Sequence, residues 1–462
     1  MSKTNENDAS LGILPVLRHE KKYNFVDTLL VTSSYGIATW CYAQGAFMAE
    51  GLSFWQLLLS IFAPGIAVLA ICCLLVVYSV KTGIDYWVWL KTLFGETGFK
   101  VICVLVVVMQ VPWFAINANI FASSATNMLG AFGIPTPALF SKVYSLIPIA
   151  LGGFIAVGGA AVMKWSSRVM VGALLLVAAI LFVVAIRAVS VDSIINFAPE
   201  TVSTRKYMLS TEACLGFVAS WTTSLTVLPR LCKTQKGGYW GTFLSIGVVA
   251  PLFILLGGVL AIVMFLKTGV FESDIAKILV TLGGSGLSLL TLVIVFFANI
   301  GTAGVGTYSY GIVAKSAFPK LSFKMAILLH CVLTAVLAMT DTITAYFATY
   351  LSYSAYLYLA IMGLFFADFF IIRKQKISLR GIYGLDPNKP YRYTGGFNIV
   401  GFVCLVASFA AGSLIYAPMT ANVLSPIFDY TTASFFVFVL SFVLYVLVNQ
   451  IPAIKKYTLR EG

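Results

Sequence analysis

The chain has 462 residues, 60% of them hydrophobic and 10% charged, with a formal net charge of +13. A soluble domain carries about 25% charged residues, and a chain this long with less than half that share cannot cover itself with polar surface. The composition excludes a cytosolic enzyme, a nucleic-acid reader and a disordered hub, and leaves an integral membrane protein.

Twelve apolar spans follow one another, at 25–50, 54–80, 99–127, 144–163, 168–190, 211–232, 238–268, 281–314, 325–341, 345–372, 397–418 and 432–454. Most reach the ~20 residues that a helix needs to cross a bilayer. The segments between them alternate in basic content. One side, from Lys3 and Arg18 through Lys164, Arg230 and Lys320 to Arg392 and Arg460, holds 24 of the 30 Lys and Arg; the other holds Lys142, Arg187, Arg205, Lys206, Lys267 and Lys277, which is 6. The positive-inside rule then predicts that both termini are cytoplasmic in a multi-pass protein of the cell membrane. The polar stretch up to Tyr23 has no short apolar region with a cleavage site, so no signal peptide is expected and the first span serves as the anchor. The eight cysteines lie within spans or at their ends without metal-ligand spacing, and are expected to be buried structural thiols.

The longest non-apolar stretches, 1–24, 191–210 and 373–396, are too short for a second domain. The expected organisation is a cytoplasmic tail at 1–24, one twelve-helix transporter domain at 25–454 and a second tail at 455–462. Two spans look interrupted. The first contains Ser33-Ser34-Tyr35-Gly36-Ile37-Ala38-Thr39-Trp40-Cys41-Tyr42-Ala43-Gln44-Gly45, and the sixth contains Gly216-Phe217-Val218-Ala219-Ser220-Trp221-Thr222-Thr223-Ser224. Each combines glycine, small polar residues and a tryptophan near mid-membrane. Backbone freed from its helix is tolerated at that depth only where it lines a cavity. Spans 1 and 6 correspond if 25–190 and 211–372 are two five-helix repeats, necessarily inverted because five is odd, with 397–454 as two extra helices. Paired interrupted helices of this kind point to a transporter site.

The spans offer almost no ionisable groups. Asp27, Glu50, Glu212, Asp341 and Asp368 sit near span ends, Asp85 and Glu96 fall in the loop between spans 2 and 3, and His330 stands alone in span 9 among Leu328, Leu329 and Cys331, where a structural role is expected. No hydrolytic triad, HExxH motif or phosphate loop appears, so no enzyme, catalytic residue or metal site is expected. A neutral, flat, hydrogen-bonding substrate suits such an interior. Trp113 and Asn117, four apart in span 3, share a helical face, while Trp221 lies in the interrupted part of span 6 and Asn299 in span 8. Indole faces can hold a planar ring, and amides can both donate to and accept from its edge.

At this point the chain resembles the nucleobase–cation symporter family, which includes cytosine, purine, hydantoin and allantoin permeases. Ala367-Asp368-Phe369-Phe370-Ile371-Ile372-Arg373 followed by Tyr391-Arg392-Tyr393-Thr394-Gly395-Gly396-Phe397-Asn398 is similar to the family's Ala-Asp-Tyr-aromatic…Arg and Tyr-x-Tyr-x-Gly-Gly-x-Asn segments; Phe94-Gly95-Glu96-Thr97-Gly98 is similar to its entry into span 3. The resemblance runs from about Asn24 to Asn398. It implies an all-α membrane fold of the leucine-transporter type, an inverted five-plus-five repeat with two additional helices. It implies ring-stacking roles for Trp113 and for Trp221, edge-reading amides at Asn117, Asn299 and Gln44, and a substrate-binding position at Ser220 beside Trp221. The family's span 8 Asn is preceded by two hydroxyl residues in sodium-dependent members, whereas Phe297 and Ala298 stand here. Carbonyls around Ala38 and Cys41 could not easily replace them for a hard cation, so proton coupling is expected rather than sodium. The expected function is import of a nucleobase or related heterocycle by alternating access, with no prosthetic group and no nucleic-acid partner. An amino-acid or amine transporter of the same broad fold is the alternative.

Overall fold

The computed structural model describes residues 14–201, 203–340 and 342–459; Lys3, Asp341 and Arg460 lie outside them. The longer helices, in chain order, are α1 Phe25–Gly36, α2 Thr39–Ala49, α3 Phe54–Thr82, α4 Tyr86–Ala131, α5 Ala138–Val157, α6 Gly159–Ala188, α7 Thr204–Trp221, α8 Gln235–Thr268, α9 Ile275–Ala317, α10 Phe323–Ala338, α11 Phe347–Ile372, α12 Ile399–Ile415, α13 Ala433–Val448 and α14 Pro452–Leu459. Among the described residues eight helices are individually long and apolar enough to cross a membrane, and α13 with α14 forms a further candidate bent by 103°. The remaining apolar stretches come as shorter pieces. The first is divided between α1 and α2, the sixth keeps helix only up to Trp221, and α10 has 16 residues. All eight cysteines are free, and seven are buried.

Local chemistry explains the boundaries. Asn24 caps α1 by accepting from the Asp27 N–H, and the Asp27 carboxylate accepts from the Asn24 N–H in return. Asp27, almost fully buried, also pairs with Lys164 at 2.8 Å and Arg168 at 2.6 Å, tying α1 to α6. The stretch between spans 2 and 3, expected as a loop, is largely helical. Gly83 ends α3 in the left-handed region, Asp85 caps the next helix by accepting from the Trp87 N–H, and the helix turns sharply at Gly95. Gly95 has φ of 79°, and a Cβ there would lie 2.5 Å from the Gly396 carbonyl oxygen. Only glycine meets both demands cheaply.

The motifs that carry the family resemblance therefore pack against one another. The Asn398 N–H donates to Phe94 O, its side-chain amide donates to Leu93 O at 2.7 Å, and Gly396 abuts Thr97. Arg373 Nε bonds Asp368 at 2.7 Å, while its Nη2 reaches Thr92 O, Tyr393 Oη and Thr458 O. Tyr393 is pushed up to about 12 by burial, with the Arg373 charge opposing the shift; its phenol stays protonated and donates to Thr92 O at 2.8 Å. At the same basic end, residues 16–23 are stitched down: Val16 N–H to Gly83 O, Tyr23 N–H to Leu231 O and Tyr23 O–H to Ala160 O.

Small residues bring α2 and α8 together. A Cβ at Gly45 would collide with Ile254 O, and one at Gly257 with the Tyr42 backbone. Such close approach is how helices pack without a hydrophobic driving force between them. Gly257→Val is accordingly expected to abolish the folded, detergent-stable protein, read as loss of the monodisperse peak in fluorescence-detected size-exclusion chromatography; a normal peak would show that the two helices can separate.

Candidate substrate site and its wall

Both interrupted spans are interrupted in the structure. Ile37 and Ala38 are extended, at φ −97°, ψ 111° and φ −132°, ψ 163°, between α1 and α2. The backbone oxygens set free are met from α9: the Thr302 hydroxyl lies 3.1 Å from both Tyr35 O and Ile37 O and 3.5 Å from Ser34 O. In span 6, α7 gives way to a 3-10 turn at Thr222–Ser224. There the hydroxyls of Ser220, Thr222 and Thr223 satisfy carbonyls three residues back, and Trp87 Nε1 donates to Thr223 O at 2.7 Å. The serine and threonine density noted in the sequence has a local function, which is to satisfy unwound backbone where no water is at hand.

The six candidate residues divide by what holds them. Asn299 is fully buried and committed: Nδ2 donates to Thr39 Oγ1 at 2.5 Å and Val295 O at 2.9 Å, while Oδ1 accepts from the Thr39 N–H at 3.4 Å, tying α9 to the first turn of α2. Asn117 Nδ2 donates to Asn299 O at 3.1 Å, and its Oδ1 has no partner. Gln44 lies on a cavity wall. Ser220 bonds its own helix. The indole of Trp113 is partly buried with Nε1 unpartnered, and Trp221 is 4% exposed.

The two tryptophans do not face each other directly. Four rings stand in series: Trp113 to Trp40 at 5.3 Å between centroids, Trp40 to Phe217 at 3.9 Å, and Phe217 to Trp221 at 3.6 Å. Sequence reasoning missed Trp40 and Phe217 as members of this row. The available signal was spacing, since Trp40 lies four residues before Gln44 and Phe217 four before Trp221, and i, i+4 neighbours share a helix face. Phe347 and Tyr350 of α11 close the row behind Trp113, at 5.5 and 6.2 Å.

A cavity of about 990 Å³ reaches the break in span 1 and is lined there by Thr39, Trp40, Ala43, Gln44 and Phe47. Ser141, Lys142, Ser273 and Asp274 place its mouth at the end of the bundle with few basic residues, and Glu212 of α7 stands in its wall. A second space of about 10 Å³ lies between Asn117, Thr307, His330 and Thr334. His330 is held between Phe114 and Tyr310, with ring centroids at 4.6 and 4.2 Å, and its Nδ1 lies 3.4 Å from the Thr307 hydroxyl. Among the described residues no group of three or more His, Cys, Asp or Glu could hold a metal ion.

Comparison with known proteins agrees with this architecture. The chain is similar to two solved structures. One is Mhp1, a nucleobase-cation-symport-1 family transporter closed on bromovinylhydantoin: 17% identity, TM-score 0.74, covering 96% of this chain and 94% of that one. The other is a substrate-bound, outward-open Na+-coupled sialic acid symporter: 13% identity, TM-score 0.66, covering 97% and 95%. At these identities the likeness is one of fold. A curated relative, the purine-uracil permease NCS1 of Arabidopsis thaliana, is 21% identical over 421 residues, which is 85% of this chain and 69% of that protein. The family model described as permease for cytosine/purines, uracil, thiamine, allantoin matches residues 16–439. The chain belongs to this family of membrane permeases, the nucleobase–cation symporters.

Proposed function

We propose that this protein imports a neutral nucleobase or related nitrogen heterocycle in symport with a proton. The observation that carries the reading is the cavity that runs from the basic-poor end of the bundle to the break in span 1, where Trp40 presents a ring and Gln44 an amide. The heterocycle stacks on the row from Trp113 to Trp221, and Gln44, Asn117 and Asn299 read its edge. The Asn117 Oδ1 and Trp113 Nε1, buried and unpartnered, are the acceptor and donor that a substrate, or a water bridging to it, would satisfy. A ligand lacking matching groups would leave them unpaired at a cost of ~1–3 kcal/mol each. Asn299 would join by exchanging its bond to Thr39, which links substrate arrival to the position of α2.

The same reading takes the chain as twelve spans in one domain, two inverted five-helix repeats and two further helices, with both termini cytoplasmic. On the positive-inside rule the cavity then opens outward. Rocking about a midplane site would give alternating access. Proton coupling is favoured over sodium because Phe297 and Ala298, immediately before Asn299, supply no oxygen ligands.

The identifying experiment is competition by unlabelled uracil, cytosine, adenine, hydantoin and allantoin against labelled uptake in a transport-deficient strain. One or two of these are expected to compete, with no competition from amino acids; amino-acid competition alone would overturn the assignment. Uptake of the selected heterocycle is expected to persist in sodium-free buffer and to collapse with a protonophore. Strict sodium dependence would refute the proton reading while leaving the substrate reading intact.

A further inference from the structure

We propose that Glu212 takes up and releases the coupling proton; this rests on the proton-symport reading above. Glu212 is 2% exposed yet stands in the wall of the large cavity. Its carboxylate accepts from Ser434 N–H at 3.0 Å and from the Ser434 hydroxyl at 2.5 Å, at the first turn of α13. Among the described residues no cation pairs with it. The other deeply buried carboxylates have basic groups beside them: Asp27 has Lys164 and Arg168, Asp368 has Arg373, and Asp85 feels Arg230. The long helices packed against α7, namely Phe54–Cys72, Phe347–Phe366 and Ala433–Val448, hold no Lys, Arg or His, and the turn Pro426–Asp429 beside it adds only Asp429. The titratable groups facing it are the phenols of Tyr356 in α11 and Tyr416 beyond α12. On its own helix, Arg205 is bound to Asp429, and the Lys206 side chain lies against Gly51. Across the cavity stand Lys142 and Asp274, the latter capping α9 through the Ala276 N–H.

An ionised carboxylate within a membrane and without a paired cation is costly and marks a functional group. The partial positive charge at the start of α13 stabilises the ionised form, and the cavity gives that form access to water. Protonation forms one O–H bond on Glu212 and breaks one in a hydronium ion of the cavity, which is left as water. The hydrogen bond to Ser434 Oγ then reverses direction, with Glu212 donating, and the charge attraction holding α7 to α13 is lost. Release on the other side of the cycle restores both. Eight residues, or ~12 Å of helix, separate Glu212 from Ser220, so the proton and the ring occupy different places on one moving element.

The test uses the full chain in proteoliposomes with whichever labelled heterocycle the competition panel selects from the five named. A pH gradient of one unit, alkaline inside, should drive about tenfold accumulation by the unsubstituted protein at one proton per substrate. Glu212→Gln should accumulate none, while exchanging internal for external substrate without a gradient within about twofold of the unsubstituted rate. Ser434→Ala, which removes a hydrogen bond to α13 but keeps the carboxylate, should still accumulate. Gradient-driven accumulation by Glu212→Gln would overturn the proposal. So would loss of exchange together with accumulation, which would make Glu212 a substrate or folding group, and so would a Ser434→Ala protein as uncoupled as Glu212→Gln. If the unsubstituted protein ignores the pH gradient and follows sodium, the proton reading falls first and this role with it.

Discussion

Replacing Trp221 with alanine is expected to remove most of the affinity for substrate. The indole is buried, contacts Phe217, and places its outer ring atoms 3.5 Å from where a Cβ on Gly36 would stand. It therefore touches the interruptions in spans 1 and 6 together and ends the aromatic row that begins at Trp113. Stacking of a nucleobase on an aromatic side chain is worth ~1–3 kcal/mol by alanine substitution, so the dissociation constant should rise by about ten- to a hundredfold. Removing a large buried ring also leaves a hole, which costs stability. The two effects are separable. Trp221→Phe keeps an aromatic face and most of the volume, and should recover the greater part of the affinity, whereas Trp221→Leu keeps apolar bulk without a face and should not. Equilibrium binding of labelled heterocycle to purified protein, normalised to the folded fraction, is the measurement. Equal affinity in the Phe and Leu variants would remove stacking from the account and leave Trp221 as packing. The same pair of substitutions at Trp40 tests whether the ring in the middle of the row contacts substrate or yields its place to it; an affinity unchanged by Trp40→Leu would assign it the second role.

Much of this arrangement was legible in the sequence because it follows from local rules. Gly36 and the serines beside it cannot hold a helix as firmly as the Leu- and Val-rich spans do, and the chain opens there. Thr222 and Thr223 follow Trp221, and their hydroxyls close on carbonyls three residues back, which turns the end of α7 into a tighter 3-10 turn. The residues that escaped are those whose meaning depends on what another span brings near. Glu212 reads as a polar residue close to a span end; only the packing of α13 against α7 turns it into a buried carboxylate with Ser434 and no cation. Trp113 and Trp221 read as a facing pair, and nothing local says that Trp40 and Phe217 stand between them. Likewise the Phe94-Gly95 and Tyr391–Asn398 segments can be recognised as motifs, but their mutual contact joins residues about three hundred positions apart. Asp85 and Glu96 read as loop residues between spans 2 and 3; the aromatic residues between them, Trp87 and Trp89 among them, are buried, and the segment is helical.

A buried ion pair at the same end sets up a second large effect, on stability. Asp368 and Arg373 are almost completely buried, paired at 2.7 Å, and polar groups from several elements converge on them. Thr92 and Tyr445 donate to the carboxylate at 3.4 and 3.2 Å, and the guanidinium reaches Thr92 O, Tyr393 Oη and Thr458 O at 2.8–3.1 Å. One ion pair thereby joins α4, α11, α13, α14 and the loop before α12. Arg373→Met leaves the Asp368 charge buried without its partner, which typically costs ~3–5 kcal/mol. Asp368→Leu leaves an uncompensated guanidinium and should cost a similar amount. The double variant removes both charges, and a buried pair replaced by apolar residues is often near neutral, so Asp368→Leu with Arg373→Met should be more stable than either single variant. The measurement is the thermal midpoint of the purified protein in detergent, with folded yield as a second readout. A double variant as damaged as the sum of the singles would mean that the separate bonds to Thr92, Tyr393 and Thr458, rather than charge compensation, hold this end together. Because the pair lies at the basic end and far from the cavity, substrate affinity per folded molecule should remain unchanged in the double variant. A weakened affinity there would show instead that the clasp sets the position of the helices that carry Trp113 and Trp221.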